Sequence, residues 1–310
     1  MKDWFTKVAI PIAEKQIGYQ DKILLLGSCF ADNIGEKMRA HYFQSCSNPV
    51  GTLYNPNSIA KAISDMQRSI GEEQLVKWGG MWHSMMHHGS FSHPDKAEVV
   101  RRCEASRAQL RKYWQEANVV IVTFGTAWVY EMDGDVVANC HKIPSDRFVR
   151  RRLTVKEIVD LWRPILAAMP DKQWIFTVSP IRHIKDGLHD NQLSKAILLQ
   201  AVEELLSGGA KNQRIAYFAA YEIMQDELRD YRFYAEDMVH PAPVAVDYIW
   251  QRFVDTYMSS TTQSEMRELH QLWRDRHHRF LHPESDEAHA FQQRLEQRIA
   301  ALQLRYPWVE

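Results

Sequence analysis

The sequence predicts an α/β fold, a three-layer α/β/α sandwich on a parallel sheet, and two observations predict it. Short apolar runs stand at 22–26 (KILLL), 119–124 (VVIVTF), 174–178 (WIFTV) and 215–219 (IAYFA). They are continuous rather than alternating, as strands covered on both faces are. Between them lie stretches of helical periodicity at 33–40, 57–69, 96–116, 154–168 and 191–206. Strands alternating with helices in this way build βαβ units and a parallel sheet.

Each element carries its own local signal. The first run stops at Gly27-Ser28, the second at Gly125 and the third at Ser179-Pro180, all of them strand-ending residues. Segment 129–138 sits outside the alternation and holds Asp133-Gly134 between apolar flanks, the signature of a type I′ hairpin. From about Thr262 the chain becomes highly charged and helical. Met266, Leu269 and Trp273 share one helical stripe, and Leu295, Ile299 and Leu302 form another, with Pro283 breaking the two apart. The expected organisation is a main domain over 1–258 and a helical appendage over 259–310. That appendage is expected to pack as a lid or to serve as a dimerisation arm, giving a homo-oligomer.

Composition excludes several classes of function. The 310 residues include 45% hydrophobic side chains, enough for a large core, and the net charge of −1 offers no field for nucleic acid or an anionic membrane. Cys29, Cys46, Cys103 and Cys140 form no CxxC pair, and so few cysteines in so long a chain are expected as reduced thiols. The opening MKDWFTKVAIPIAEKQ is not expected to be a signal peptide, and no apolar run nears the ~20 residues of a membrane span. A cytoplasmic protein acting on a small molecule, without nucleic acid or membrane as partner, is the expectation.

The chemistry-bearing residues lie at two strand ends. Strand 22–26 runs into Gly27-Ser28-Cys29-Phe30-Ala31 and a helical pattern follows directly. Ligands of parallel sheets collect beyond the carboxyl ends of strands, and a residue there also faces the positive end of the next helix. A serine nucleophile needs a base. Asp237-Met238-Val239-His240 follows the last strong strand, and three-residue spacing in a turn lets the carboxylate reach the imidazole Nδ1, leaving Nε2 as base. Each signal alone has an ordinary reading, Ser28 as a helix cap and Asp237 as a cap beside a surface histidine. Their matching topological positions favour Ser28, Asp237 and His240 as catalytic residues.

At this point the residues resemble a known family. Gly27-Ser28-Cys29-Phe30-Ala31 is similar to the signature of the GSCFA family, which belongs among the SGNH/GDSL hydrolases. Further motifs fit in order from about Ile17 to Phe253: the stretch from Asn48 to Pro56 (NPVGTLYNP), Trp82-His83-Ser84, and His87-His88-Gly89-Ser90-Phe91. Gly125-Thr126-Ala127-Trp128, the stretch from Asn139 to Pro144 (NCHKIP) and Ser179-Pro180-Ile181-Arg182-His183 also fit. The resemblance implies a flavodoxin-like sheet and cofactor-free ester hydrolysis by Ser28, His240 and Asp237. It implies an oxyanion hole made by the backbone N–H groups of Ser28 and Gly51. The third SGNH donor, an Asn in a Gly-x-Asn block, is absent because Ala127 holds its place. Thr126, Asn139 and His141 are the candidate replacements. O-acyl transfer by the same triad, or a ligand-binding protein on the same scaffold with no catalysis, are the alternatives.

Other groupings compete. Cys29 at a helix start suggests a thiolate of lowered pKa. His83, His87 and His88 have spacing that suits a metal if the segment is helical. Gly79-Gly80 and Gly89 make it a loop instead, so no metal is expected. His87 and His88, with Asn139 and His141, are expected in the substrate pocket. Arg147, Arg150, Arg151 and Arg152 form a solvated run or an anion clamp, and Trp82, Phe91 and Trp128 a core anchor or a sugar-stacking platform.

Overall fold

Alternate residues of the buried strands point into two separate apolar layers, and this divides the molecule into three. The computed structural model describes residues 6–208 and 214–309. Strands β1 (Lys22–Gly27) and β2 (Gln44–Ser47) flank helix α1 (Cys29–Ala40). Helix α2 (Pro56–Asp65), hairpin β3 (Leu75–Trp78) and β4 (Met81–Ser84), and helix α3 (Lys96–Glu116) lead to β5 (Val119–Phe124). Strands β6 (Trp128–Met132), β7 (Asp135–Val137) and β8 (Val149–Arg152) precede α4 (Val155–Ala168) and β9 (Gln173–Val178). Helix α5 (Leu188–Ser207), β10 (Arg214–Tyr217), the short α6 (Ala220–Glu222), α7 (Pro243–Tyr257), α8 (Ser260–Arg276) and α9 (Asp286–Gln303) complete the chain.

Five strands make one sheet in the order β10-β9-β5-β1-β2, and every pairing is parallel. Counted along the chain this is the 2-1-3-4-5 order of a flavodoxin-like sheet, whose connections change direction between β1 and β5. Ile23, Leu25, Val119, Ile121 and Ile175 face one layer, with α1, α7, α8 and α9. Leu24, Leu26, Val120, Val122, Phe124, Trp174 and Phe176 face the other, with α2, α4 and α5. The expected α/β/α sandwich is therefore the observed one. Met266, Leu269, Leu295 and Leu302 lie in the first of these layers, in one cluster with β1 and α7.

Departures from the sequence expectation concern weak elements. Strand β2 (QSCS) carries little apolar signal and forms because the exposed edge of β1 offers it a ladder. The Asp133-Gly134 hairpin forms with positive φ at both residues, 54° and 88°. It gains a third strand, β8, from the arginine-rich segment. A second hairpin, β3–β4, turns on Gly79 and Gly80, at φ 58° and 78°, where a plain loop was expected. Among the described residues no helix is long and apolar enough to cross a membrane.

Candidate active site

Ser28 sits where β1 hands over to α1, at the point where the sheet changes direction. It caps α1 with extended backbone, its Oγ accepting from Phe30 N–H at 3.4 Å, and it is 1% exposed. Gly27 before it has φ 136°, and a side chain there would meet the Thr123 carbonyl oxygen at 2.1 Å. Only glycine fits between the paired strands at that turn.

The Asp237–His240 turn is the second part. Asp237 Oδ2 meets His240 Nδ1 at 2.6 Å, while Oδ1 accepts the N–H groups of Val239 (2.9 Å) and His240 (3.0 Å). The His240 backbone N–H, then its imidazole, then the Val239 N–H hold the Asp237 carboxyl down to about 2. Met238 takes a left-handed φ of 56°, which curls the turn so that the carboxylate reaches back. Arg182 fastens the same turn, donating from its backbone N–H to Val239 O (3.1 Å) and from its guanidinium to Met238 O (3.2 Å).

Ser28 and His240 line one cavity of about 490 Å³, together with Tyr54, Asn55, Thr126, Trp128, Asn139, Arg150 and His183. Among the described residues no direct hydrogen bond joins Ser28 Oγ to His240. The other expected residues divide. Thr126 and Asn139 are in the lining; Gly51, His87, His88 and His141 are not. His87 is turned inward, its Nδ1 against Ser84 Oγ at 2.7 Å, and burial brings its imidazole down to about 3. His141 spends Nε2 on the Ser84 carbonyl at 2.9 Å, and His88 Nδ1 accepts from Ser90 N–H at 3.2 Å. These three histidines are tied to local partners and lie outside the lining of the cavity that holds Ser28.

The rival groupings also resolve into local structure. His83 belongs to strand β4, so no helical face brings it to His87, and both its ring nitrogens are engaged, by Ser92 Oγ (2.7 Å) and Trp78 O (3.0 Å). No group of His, Cys, Asp and Glu able to hold a metal occurs among the described residues. The Cys29 thiol lines the cavity, but burial and then Asp32 push its pKa up rather than down. All four cysteines are unpaired. Arg150 pairs with Asp186, Arg151 with Glu131 and Glu157, and Arg152 with Asp190, so three of the four arginines are neutralised, while Arg147 forms no ion pair among the described residues. Of the three aromatics, only Trp128 reaches the cavity, with the Arg150 guanidinium 4.1 Å over its ring.

Three residues at the site went unassigned in sequence. His183 puts a second imidazole on the cavity wall, brought down to about 4 by burial and then by Lys195, with Nε2 buried and without a hydrogen-bond partner among the described residues. Asn55, which lines the same cavity, caps α2. Lys195, buried on α5, donates to the carbonyls of Gly125 and Ser179, each at 2.7 Å. Its signal was present: Asn191, Ser194, Lys195, Leu198, Val202 and Leu205 share the inward stripe of the helix, with a lysine at a core position.

Fold and site together define a flavodoxin-like α/β protein with serine, histidine and aspartate gathered at the topological switch point. Residues 22–253 match the GSCFA family, and the chain belongs to it. No curated protein matches the sequence. Among solved structures, an acetyl xylan esterase from the rumen bacterium Butyrivibrio proteoclasticus is similar at 11% identity and a TM-score of 0.35. The match covers 79% of this chain and 64% of that one, so this chain spans less than two thirds of its length.

Proposed function

We propose that this protein is a serine hydrolase that cleaves a small ester, with Ser28 as nucleophile, His240 as base and Asp237 as its orienting carboxylate. One observation carries the reading: Ser28 shares the switch-point cavity with an imidazole whose Nδ1 is held by a carboxylate at 2.6 Å. With Nδ1 engaged, Nε2 is the nitrogen left to take a proton. Ser28 Oγ attacks the ester carbonyl, and His240 accepts its proton and returns it to the leaving alkoxide. Water repeats the route to release the acid. Catalytic hydrogen bonds tighten when substrate fills such a site. The cavity volume of about 490 Å³ suits a small acyl group on a sugar-sized alcohol, and Tyr54, Trp128 and Tyr130 supply aromatic walls for one. An O-acetyl ester of a carbohydrate is the substrate class proposed. Kinship with the SGNH hydrolases is part of the same reading.

The test uses the full chain with p-nitrophenyl acetate and a fluorophosphonate probe. Ser28→Ala is expected to abolish turnover and labelling, whereas Cys29→Ala keeps both. Turnover and labelling that survive in Ser28→Ala sink the reading. Products analysed with and without a sugar acceptor separate hydrolysis from transfer.

A further inference from the structure

Both backbone amides that the family likeness aims at an oxyanion, and that of the candidate Thr126, are already engaged within the protein. The Ser28 N–H donates to Thr123 O at 3.1 Å, the Gly51 N–H to Asn48 O at 2.8 Å, and the Thr126 N–H to Tyr54 O at 2.9 Å. Thr126 Oγ1 lies 3.0 Å from Ser194 Oγ and accepts from Trp128 N–H at 3.1 Å. Asn139 spends Nδ2 on the His87 carbonyl at 3.0 Å. Of these groups only Asn139 keeps a free amide N–H, the second of its Nδ2, and its first is spent on the His87 carbonyl rather than on the strand ends that hold Ser28.

Asn55 supplies an amide joined to those strand ends. It lines the cavity that holds Ser28 and is 5% exposed. As N-cap of α2 its Oδ1 accepts the Ser58 N–H at 2.8 Å, which fixes the orientation of the amide by turning the oxygen to the helix. Its Nδ2 donates to no acceptor among the described residues, and it is not one of the side-chain atoms sealed from solvent without a partner. The chain around it is stitched to the two strand ends that form the switch point. Leu53 N–H donates to Gly27 O at 3.0 Å, and the Tyr54 carbonyl accepts from both Gly125 N–H (2.8 Å) and Thr126 N–H (2.9 Å). A side chain on Gly125 would meet Tyr54 O at 2.8 Å and Ser28 Cβ at 3.2 Å. One glycine therefore separates the Ser28 side chain from the backbone that carries Asn55.

We infer that Asn55 is a catalytic residue whose Nδ2 donates to the oxyanion, taking the role left vacant by Ala127. The inference rests on the serine hydrolase reading above. As Ser28 Oγ bonds to the carbonyl carbon, the C=O π pair moves onto oxygen and the Ser28 proton passes to His240. The new alkoxide accepts from Asn55 Nδ2, with the positive end of α1 behind it. Collapse restores the carbonyl, breaks the bond to the alcohol and passes the His240 proton to it.

The cap and the donor separate by mutation. Asn55→Asp and Asn55→Ser keep an oxygen for Ser58 N–H and lose the amide donor, while Asn55→Ala loses both. With p-nitrophenyl acetate, the first two are expected to lower kcat by about 10²–10³ at nearly unchanged KM and melting temperature. Fluorophosphonate labelling of Ser28 should slow in parallel, since the phosphonyl oxygen needs the same donor. If Asn55→Asp and Asn55→Ser keep kcat within about threefold while Asn55→Ala only melts earlier, Asn55 is a cap and the inference is overturned. Activity that survives in Ser28→Ala is a different result, since it removes the hydrolase reading itself.

Discussion

Lys195 Nζ donates to the Gly125 carbonyl at 2.7 Å, and through that bond α5 grips the end of β5 beside Ser28. The same ammonium reaches the Ser179 carbonyl at 2.7 Å at the end of β9, and no carboxylate pairs with it among the described residues. Two strand ends on one side of the cavity are thus fixed by a single buried cation, with the Tyr221 ring 5.7 Å away.

Burial brings the Lys195 ammonium down to about 7 from the 10.5 of a free lysine. The sign follows from proton counting. Between about 7 and 10.5 the unfolded chain holds this proton and the folded one does not, so stability from this group rises with pH across that window. Below about 7 both states are protonated and the cost of the buried charge is felt in full. Denaturant titrations at pH 6.5, 8 and 9.5 are expected to show the rise in wild type, and a flatter dependence in Lys195→Met. An equal slope in both proteins refutes the assignment.

Asp237 is expected to act through His240 alone. Its carboxyl, held at about 2, stays ionised at every pH where the protein is assayed, so loss of activity on mild acidification does not belong to it. Asp237→Asn keeps the shape of the turn, removes the charge and admits the wrong imidazole tautomer, a change that costs about 10⁴ in kcat in triads of this kind. His183 shares the cavity, and no carboxylate pairs with its ring among the described residues. If His183 were the base, Asp237→Asn would leave turnover within a few fold of wild type and His183→Ala would abolish it. Steady-state kinetics of the two variants decide between the imidazoles.

How much of this was legible in sequence depends on which physical force fixed each element. Strands β1, β5 and β9 have buried residues on both faces, and continuous apolar runs announce them. Strand β2 is set by the ladder that β1 offers and has no apolar pattern to show. The Asp237–His240 contact was readable because it is local, a carboxylate and an imidazole three residues apart. The occupancy of the Gly51 and Thr126 amides depends on Asn48 and Tyr54 carbonyls placed by tertiary packing, and no spacing rule reveals it. His87, His88 and His141 draw attention by residue type, yet nothing in the sequence shows that their ring nitrogens meet the Ser84 hydroxyl, the Ser90 hydroxyl and the Ser84 carbonyl.

The C-terminal helices are expected to melt with the sheet. Leu269 and Leu272 of α8 are fully buried in the same apolar layer as Ile23 and Leu25 of β1, and Leu302, Tyr306 and Val309 close that layer from the end of the chain. His270 Nδ1 lies 3.3 Å from the Ala40 carbonyl at the end of α1, and Trp308 Nε1–H donates to Tyr42 O at 2.8 Å. An appendage held this way has few contacts it can keep once the main layer opens. Leu269→Ala is expected to cost about 2–5 kcal/mol, the usual range for emptying a core leucine site. The loss should appear as an earlier single transition by both calorimetry and tryptophan fluorescence, with coincident midpoints. A separate early transition, moved by Leu269→Ala while the main one stays in place, would instead mark residues 259–310 as an independently folding unit.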